Sequence, residues 1–276
     1  MGQKASGFTV EVIVVDDGST DETEKAVKKF GERVIYKKLS HYGNPAKARN
    51  EGIKLSTGNF IAFLDADDVW LPSKIAEQLK FLKLGGYDMV HSDASVVNGS
   101  DQVIRESLHG RSVIPSGKVF SSLYLDNSII TSTVLIKKCC LDAAGLFSQN
   151  KDQWEDYDLW LRIASRFSIG YLDKKLIFYR EQGGSLSDVG MVRSKELEFK
   201  VLKNHFQYAK SLIGSSANVR ILQVIKPIVV KLPIGDVLHK LRYSLLLLSY
   251  IPLDLDIFAV IWKVFKRNYN SHEVQR

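Results

Sequence analysis

The stretch Phe60-Ile61-Ala62-Phe63-Leu64-Asp65-Ala66-Asp67-Asp68-Val69-Trp70 decides how the chain is read. Its five leading apolar residues suit a strand covered on both faces, because a strand with one wet face alternates apolar and polar residues. Three acids within the next four positions then fall at the strand's carboxyl end, the edge of an open α/β sheet where ligands bind. Carboxylates gathered there repel one another unless a cation or hydrogen-bond donors hold them, so a divalent metal is the natural candidate. Leu71-Pro72-Ser73 then opens a helix, with Pro72 tolerated in the first turn and Ile75, Leu79 and Leu82 recurring on one face.

Upstream, residues 8–15 are rich in β-branched side chains and end in Asp16-Asp17-Gly18-Ser19-Thr20-Asp21, a second strand tipped with acids. Gly18 permits a turn, and Ser19, Thr20 or Asp21 can cap a helix carrying Ala26, Val27 and Phe30. A short strand over 33–37 leads to a loop, His41 to Asn44, and a helix in which Arg49 and Asn50 offer donors suited to a phosphate or nucleobase. For Arg49 the plain alternative is a surface ion pair.

Downstream, residues 87–91 form a strand followed by Ser92-Asp93, residues 94–118 a polar insertion, and residues 129–136 a strand lining the other half of the cleft. Residues 141–147 predict a short helix ended by Gly145. In Trp154-Glu155-Asp156-Tyr157-Asp158-Leu159-Trp160 an acid pair falls in the first turn of an amphipathic helix. The helix dipole favours negative charge there, so capping competes with catalysis as the job of Glu155 and Asp156. Strands over 169–172 and 176–179 and a loop over 180–187 complete this part.

At 276 residues with a net charge of +7, the chain is long enough for one large domain or a domain with an appendage. The charge is uneven: residues 191–276 hold 14 Lys and Arg against 6 Asp and Glu, leaving the first 190 close to neutral. A neutral front and basic rear argue against a nucleic-acid-binding catalytic core, and the basic rear points at a phosphate-rich surface such as a membrane or is a solvated helical tail. Residues 224–232 and 243–265 are strongly apolar, but Pro252, Asp254 and Asp256 interrupt the longer run. It falls short of the roughly 18 to 20 residues that span a bilayer, which leaves an interfacial helical hairpin or a face packed on a partner. Cys139 and Cys140 are neighbours, with neither a disulfide framework nor zinc spacing, and no secretory signal is expected at the start. A cytoplasmic protein, held at the cytoplasmic face of the membrane, is the expectation.

Over about residues 8 to 188 these segments resemble the family 2 inverting glycosyltransferases. The resemblance rests on Val14-Val15-Asp16-Asp17-Gly18-Ser19, on Ala48-Arg49-Asn50-Glu51-Gly52, on Asp65-Ala66-Asp67-Asp68, and on the run from Trp154 to Trp160. It implies an α/β fold, a mostly parallel mixed sheet flanked by helices (the Rossmann-like A-type glycosyltransferase fold). Residues 1–189 would form the nucleotide-sugar-binding domain and 190–276 a helical extension. It further implies a nucleotide-diphosphate sugar donor, UDP-linked by preference, a saccharide or lipid-linked acceptor, and Mn or Mg as cofactor. By the same resemblance Asp17 meets the nucleobase and Arg49 with Asn50 the nucleotide loop. Asp65 is the ribose-side acid and Asp67 the metal ligand; Trp154 and Glu155 border the substrate; Asp156 is the catalytic base.

Two departures stand out. Gln182 follows Tyr179-Arg180-Glu181 where the family usually has a His, and only about ten residues precede the Val-Asp-Asp strand, where the family usually has another strand and helix. The expectation from the second is that residues 10–15 and 60–64 either pair directly or leave a gap, with weak nucleotide binding. Two other functions fit less well: a sugar-nucleotide binder without turnover, and a haloacid-dehalogenase-like phosphohydrolase with Asp65 in the D-x-D-x-V nucleophile pattern.

Overall fold

The first acid-tipped strand, β1 (Ile13–Asp16), pairs in parallel with β2 (Ile35–Lys38) through a crossover made by α1 (Thr23–Lys28) and a 3-10 turn. Gly18 starts that crossover with φ +84°, and a Cβ there would lie 2.7 Å from the His41 backbone nitrogen, so the site demands glycine. The computed structural model describes residues 3, 7–181 and 190–231, and the chain divides into two units, Met1–Leu186 and Ser187–Arg276. Helix α2 (Pro45–Leu55) follows, with Asn44 as N-cap accepting the Ala46 amide and Pro45 in the first turn, where its missing N–H costs nothing. The central stretch forms β3 (Phe60–Ala62), a turn closed by Asp68 N on Asp65 O, and the two-residue β4 (Val69–Trp70). Helix α3 (Lys74–Gly85) begins at an N-cap Ser73, later than Pro72 predicts, and ends on Gly86 in the left-handed region.

The larger sheet has six strands in the order β3-β7-β5-β8-β4, with β6 (Val103–Arg105) on the far half of β5 (Met89–Val97). Here β7 is Leu135–Lys137 and β8 is Ile169–Arg180. All nine residues of β5 are buried, as the middle strand of a sheet covered on both faces requires. The expected mixed sheet flanked by helices is present, with fewer parallel pairs than the resemblance implies. Among the described residues only β1 with β2 and β5 with β8 run parallel; β3–β7, β5–β7, β5–β6 and β4–β8 are antiparallel. Strand β8 unites the two strands expected at 169–172 and 176–179. Between Leu172, opposite Ser92, and Lys175, opposite Asp93, the register slips, so Asp173 and Lys174 are accommodated as a bulge without ending the strand.

Among the described residues β1 and β3 do not pair, and each has one edge without a strand neighbour. Of the two arrangements expected for these strands, the structure has the gap. The β1 residues Ile13, Val14 and Val15 are only half-buried, and Val10, Phe30 and Ile35 around them are exposed.

Only the last part of the strand expected over 129–136 forms. Thr131–Thr133 makes a 3-10 turn instead, in which the Thr133 hydroxyl donates to Ile130 O (2.6 Å), a local bond that competes with a ladder. Helix α5 (Lys138–Ala144), which starts three residues before the predicted helix, packs on β7, and α6 (Glu155–Ala164) packs against both α5 and α4 (Phe120–Leu125). Beneath the site, Phe63, Phe147 and the fully buried Trp160 meet with ring centroids 5.2 to 6.2 Å apart, edge-on or tilted.

In the second unit α7 (Met191–Ile213) buries Leu197, Val201, Leu202, Phe206 and Ala209 at helical spacing, and turns at Gly214 into α8 (Ser215–Lys231). Arg220 and Glu198 join the two helices through an ion pair. No helix of the described residues is long and apolar enough to cross a membrane. The apolar, basic run after Lys231, for which membrane contact was expected, lies outside the described residues.

Candidate active site

Arg49, on the second turn of α2, reaches across the cleft. One guanidinium nitrogen donates to Asp65 Oδ1 at 2.7 Å and another to Glu155 Oε1 at 2.8 Å. Its side chain is 14% exposed and lies over the Phe147 ring, 5.4 Å from the centroid. Two segments ninety residues apart, the end of β3 and the start of α6, are therefore tied by one cation. Burial raises the Glu155 pKa and the adjacent Asp156 charge adds to this, while Arg49 offsets part of it.

Asp156 sits beside this bridge. Its Oδ1 accepts the Tyr157 amide at 2.7 Å and its Oδ2 accepts the Thr131 hydroxyl at 3.2 Å. Burial drives its pKa up, with Arg49, the Tyr157 amide and Thr131 pulling it back and Asp65 adding repulsion. The net direction is upward. The same 3-10 turn also meets Asp65, whose amide donates to Ser132 Oγ at 3.0 Å.

The other two acids of the signature behave differently. Asp67 is half-exposed, and its carboxylate has no hydrogen-bond or ion-pair partner among the described residues; only its carbonyl is engaged, by Arg180 Nε at 2.9 Å. Asp68 is buried and accepts the Arg180 amide with Oδ1 (3.0 Å), while its Oδ2 has no partner. Burial pushes its pKa up to about 6, against the Ser132 hydroxyl and the Arg180 amide. The Arg180 side chain continues to Asn98 O and Asp101, so it pins the acidic turn to the β5–β6 hairpin. The donor set suits a divalent ion held by one or two carboxylates and the ligand's own phosphates. No group of three or more His, Cys, Asp or Glu converges among the described residues, so there is no all-protein cage.

The residues expected to face the nucleotide are occupied by the fold itself. Asp17 accepts the Tyr42 and Gly43 amides, one on each carboxylate oxygen (2.9 and 2.8 Å), and its carbonyl faces His41 Nδ1. It shapes the loop before α2. Its neighbour Asp16 accepts Ser19 N and Tyr36 OH; burial alone raises its pKa, but these bonds outweigh it and lower the value to about 2. Asn50 is turned inward, its amide donating to Phe147 O and its carbonyl accepting Phe147 N. Trp154 is the N-cap residue of α6 and its carbonyl accepts Asp158 N. Asp93 holds the β5–β6 hairpin with bonds from Ala94, Ser107 and Leu108. Gln182 lies outside the described residues. Thr131 and Ser132 carry no sequence signal as site residues; a Thr-Ser-Thr run inside an expected strand is the only hint, since hydroxyls favour local turns.

Arg49, Asp65, Glu155 and Asp156 gather just beyond the carboxyl end of β3, with Asp67 two positions after Asp65. The family model described as "Glycosyl transferase family 2" matches residues 3–139. A UDP-Glc:alpha-D-GlcNAc-diphosphoundecaprenol beta-1,3-glucosyltransferase of Escherichia coli, WfaP, is 31% identical over 77% of this chain and 78% of its own length. The chain belongs to glycosyl transferase family 2. An uncharacterised glycosyltransferase of Rickettsia conorii is 38% identical over 63% of this chain, and the match spans 28% of that relative's length. The structure of residues 1–349 of S. aureus TarS in complex with UDP-GlcNAc superposes with a TM-score of 0.69 at 18% identity, covering 91% of this chain and 75% of that one, and shares the A-type fold.

Proposed function

We propose that the chain transfers a sugar, with inversion, from a UDP-sugar to an acceptor hydroxyl in the synthesis of a lipid-linked cell-surface glycan. The observation that carries this is the Arg49 bridge, which holds Asp65 and Glu155 together and leaves Asp156 beside them with a raised pKa. Asp156 takes the proton of the acceptor hydroxyl. The freed oxygen attacks the anomeric carbon from the face opposite the leaving group, and the bond from that carbon to the diphosphate breaks, its electron pair leaving with UDP. Arg49 and Asp65 fix one wall of the donor pocket and Trp154 borders the acceptor side. Asp67, with Asp65 beside it, would hold Mn or Mg. Such an ion, when bound, supplies Lewis-acid neutralisation of the departing diphosphate.

Asp17 and Asn50 act on the nucleotide in this proposal by shaping the loops around it. The phosphohydrolase alternative is set aside, since the family is one of glycosyl transferases and Asp65 is held by Arg49. Contact with the cytoplasmic face of a membrane through the basic rear remains part of the proposal, supported by the lipid-linked acceptor in the E. coli relative's name. The test is to supply UDP-glucose and a synthetic α-GlcNAc-diphosphoryl lipid, with and without Mn, and to read the product by mass and by anomeric NMR. A β-linked glucosyl product is expected. An α-linked product contradicts inversion, and free glucose or no product with any UDP-sugar contradicts transfer.

A further inference from the structure

The 3-10 turn Thr131–Thr133 is fastened from behind by three side chains that follow the acidic signature. Trp70 Nε1 donates to Ser132 O at 2.9 Å, Gln78 Nε2 to Thr133 O at 2.6 Å, and Lys74 Nζ to Val134 O at 3.3 Å. Three successive carbonyls are thus taken by residues spaced four apart, which share one face of α3 and its approach. Lys74 and Gln78 are both fully buried. The Lys74 amine also donates to Gln78 Oε1 at 2.7 Å and stands 4.2 Å from the centre of the Trp70 ring.

No carboxylate of the described residues pairs with this amine, and burial holds its pKa well below that of an ordinary lysine. An unpaired buried amine is an expensive way to fill space: an apolar chain of similar length would pack there without desolvating a polar group. What an apolar chain cannot do is aim a hydrogen bond. On the other side of the same turn, Thr131 Oγ1 donates to Asp156 Oδ2 and Ser132 Oγ accepts from Asp65 N. The turn is a strut between α3 and both carboxylate segments of the cleft.

We infer that Lys74, with Gln78, is a positioning residue that acts through the Thr131–Thr133 turn to hold the Thr131 hydroxyl on Asp156. This rests on the proposal that Asp156 is the base. Lys74→Met keeps length and apolar contact while removing the donor. The measurement is kcat and KM for UDP-glucose with the α-GlcNAc-diphosphoryl lipid, in Lys74→Met, Thr131→Ala, the double variant and Asp156→Asn. Hydrogen exchange over residues 129–136 is followed alongside.

The expected result for Lys74→Met is a kcat about ten- to a hundredfold lower at unchanged donor KM. Exchange at the turn is expected to be faster while β5 stays protected. The double variant is expected to be no worse than the weaker single variant within about twofold, because both changes release the same hydroxyl. An inactive Asp156→Asn together with wild-type kcat in Lys74→Met, or losses that multiply in the double variant, overturns the positioning role alone. An Asp156→Asn protein that keeps turnover overturns the base and the inference with it. If no UDP-sugar is turned over, exchange decides: unchanged protection of 129–136 in Lys74→Met overturns the strut.

Discussion

Arg49 carries the heaviest electrostatic duty in the site, since it is nearly buried and neutralises two carboxylates from opposite walls. Removing it strands Glu155 without a counter-charge, so Arg49→Met is expected to destabilise the fold by about 3 kcal/mol. The loss lies at the low end for a buried pair because Asp65 is partly solvated. Denaturant melts check this, and Glu155→Gln in the same background should recover part of the loss. Asp156 supplies the pH dependence. Its raised pKa means the protonated form is favoured by folding, so its contribution to stability is fully present below the unfolded value and is lost as pH rises through the folded one. Activity runs the other way, because the base must be ionised: kcat/KM is expected to fall on the acid side at a pH above that of an ordinary aspartate. A pH–rate profile reads the limb directly, and Arg49→Met should move it higher, since Arg49 pulls that pKa down. Asp67→Ala is expected to abolish the Mn-dependent part of UDP binding while leaving the melt unchanged, and calorimetric titration with and without Mn separates the two effects. The acids were legible in the sequence because carboxylates clustered at a strand end repel one another and persist only where a cation or hydrogen-bond donors hold them. That Asp68 is the buried one and Asp67 the half-exposed one was not, since Arg180, more than a hundred residues away, is what engages them.

At the level of elements, pattern found strands and helices where a periodic apolar face existed, and missed where tertiary contacts decide. Residues 169–180 carry a polar Asp-Lys-Lys interruption that reads as a break, but the neighbouring β5 absorbs it as a bulge. The Thr-Ser-Thr segment reads as β-branched strand, but its hydroxyls and its α3 partners make it a turn. Strand β4 is two residues long and exists only by pairing with β8, so no local signal marks it. Gly170 is a further case. A Cβ at this position on β8 would lie 2.5 Å from the Tyr87 ring, and Gly85 meets the same ring, so two glycines make room for one aromatic. Gly170→Ala is therefore expected to cost about 1 to 3 kcal/mol by overpacking, measured by denaturant melts. Tyr87→Leu in the same background should restore most of it, which a purely backbone effect would not allow.

For the whole molecule, the family-level character was legible because four separate stretches had to agree in type and order, and a physical role could be stated for each. The sequence could not show that Arg49, Asp65, Glu155 and Asp156 meet, because that depends on contacts between segments 16 and 106 residues apart. Nor could it choose between pairing and a gap for β1 and β3, since the alternatives share every residue and differ only in hydrogen bonds. In the proposed function, sugar transfer turns on Asp156 as the proton acceptor, and Asp156→Asn is the decisive variant. The amide keeps the size of the carboxyl group and can still accept the Tyr157 amide, but it cannot take a proton. UDP-glucose affinity, read by calorimetry, is expected to stay within about twofold of the unmodified chain, while transfer to the α-GlcNAc-diphosphoryl lipid falls by about 10²- to 10⁴-fold. Retention of a tenth or more of the transfer rate at normal donor affinity would mean that the proton goes to another group.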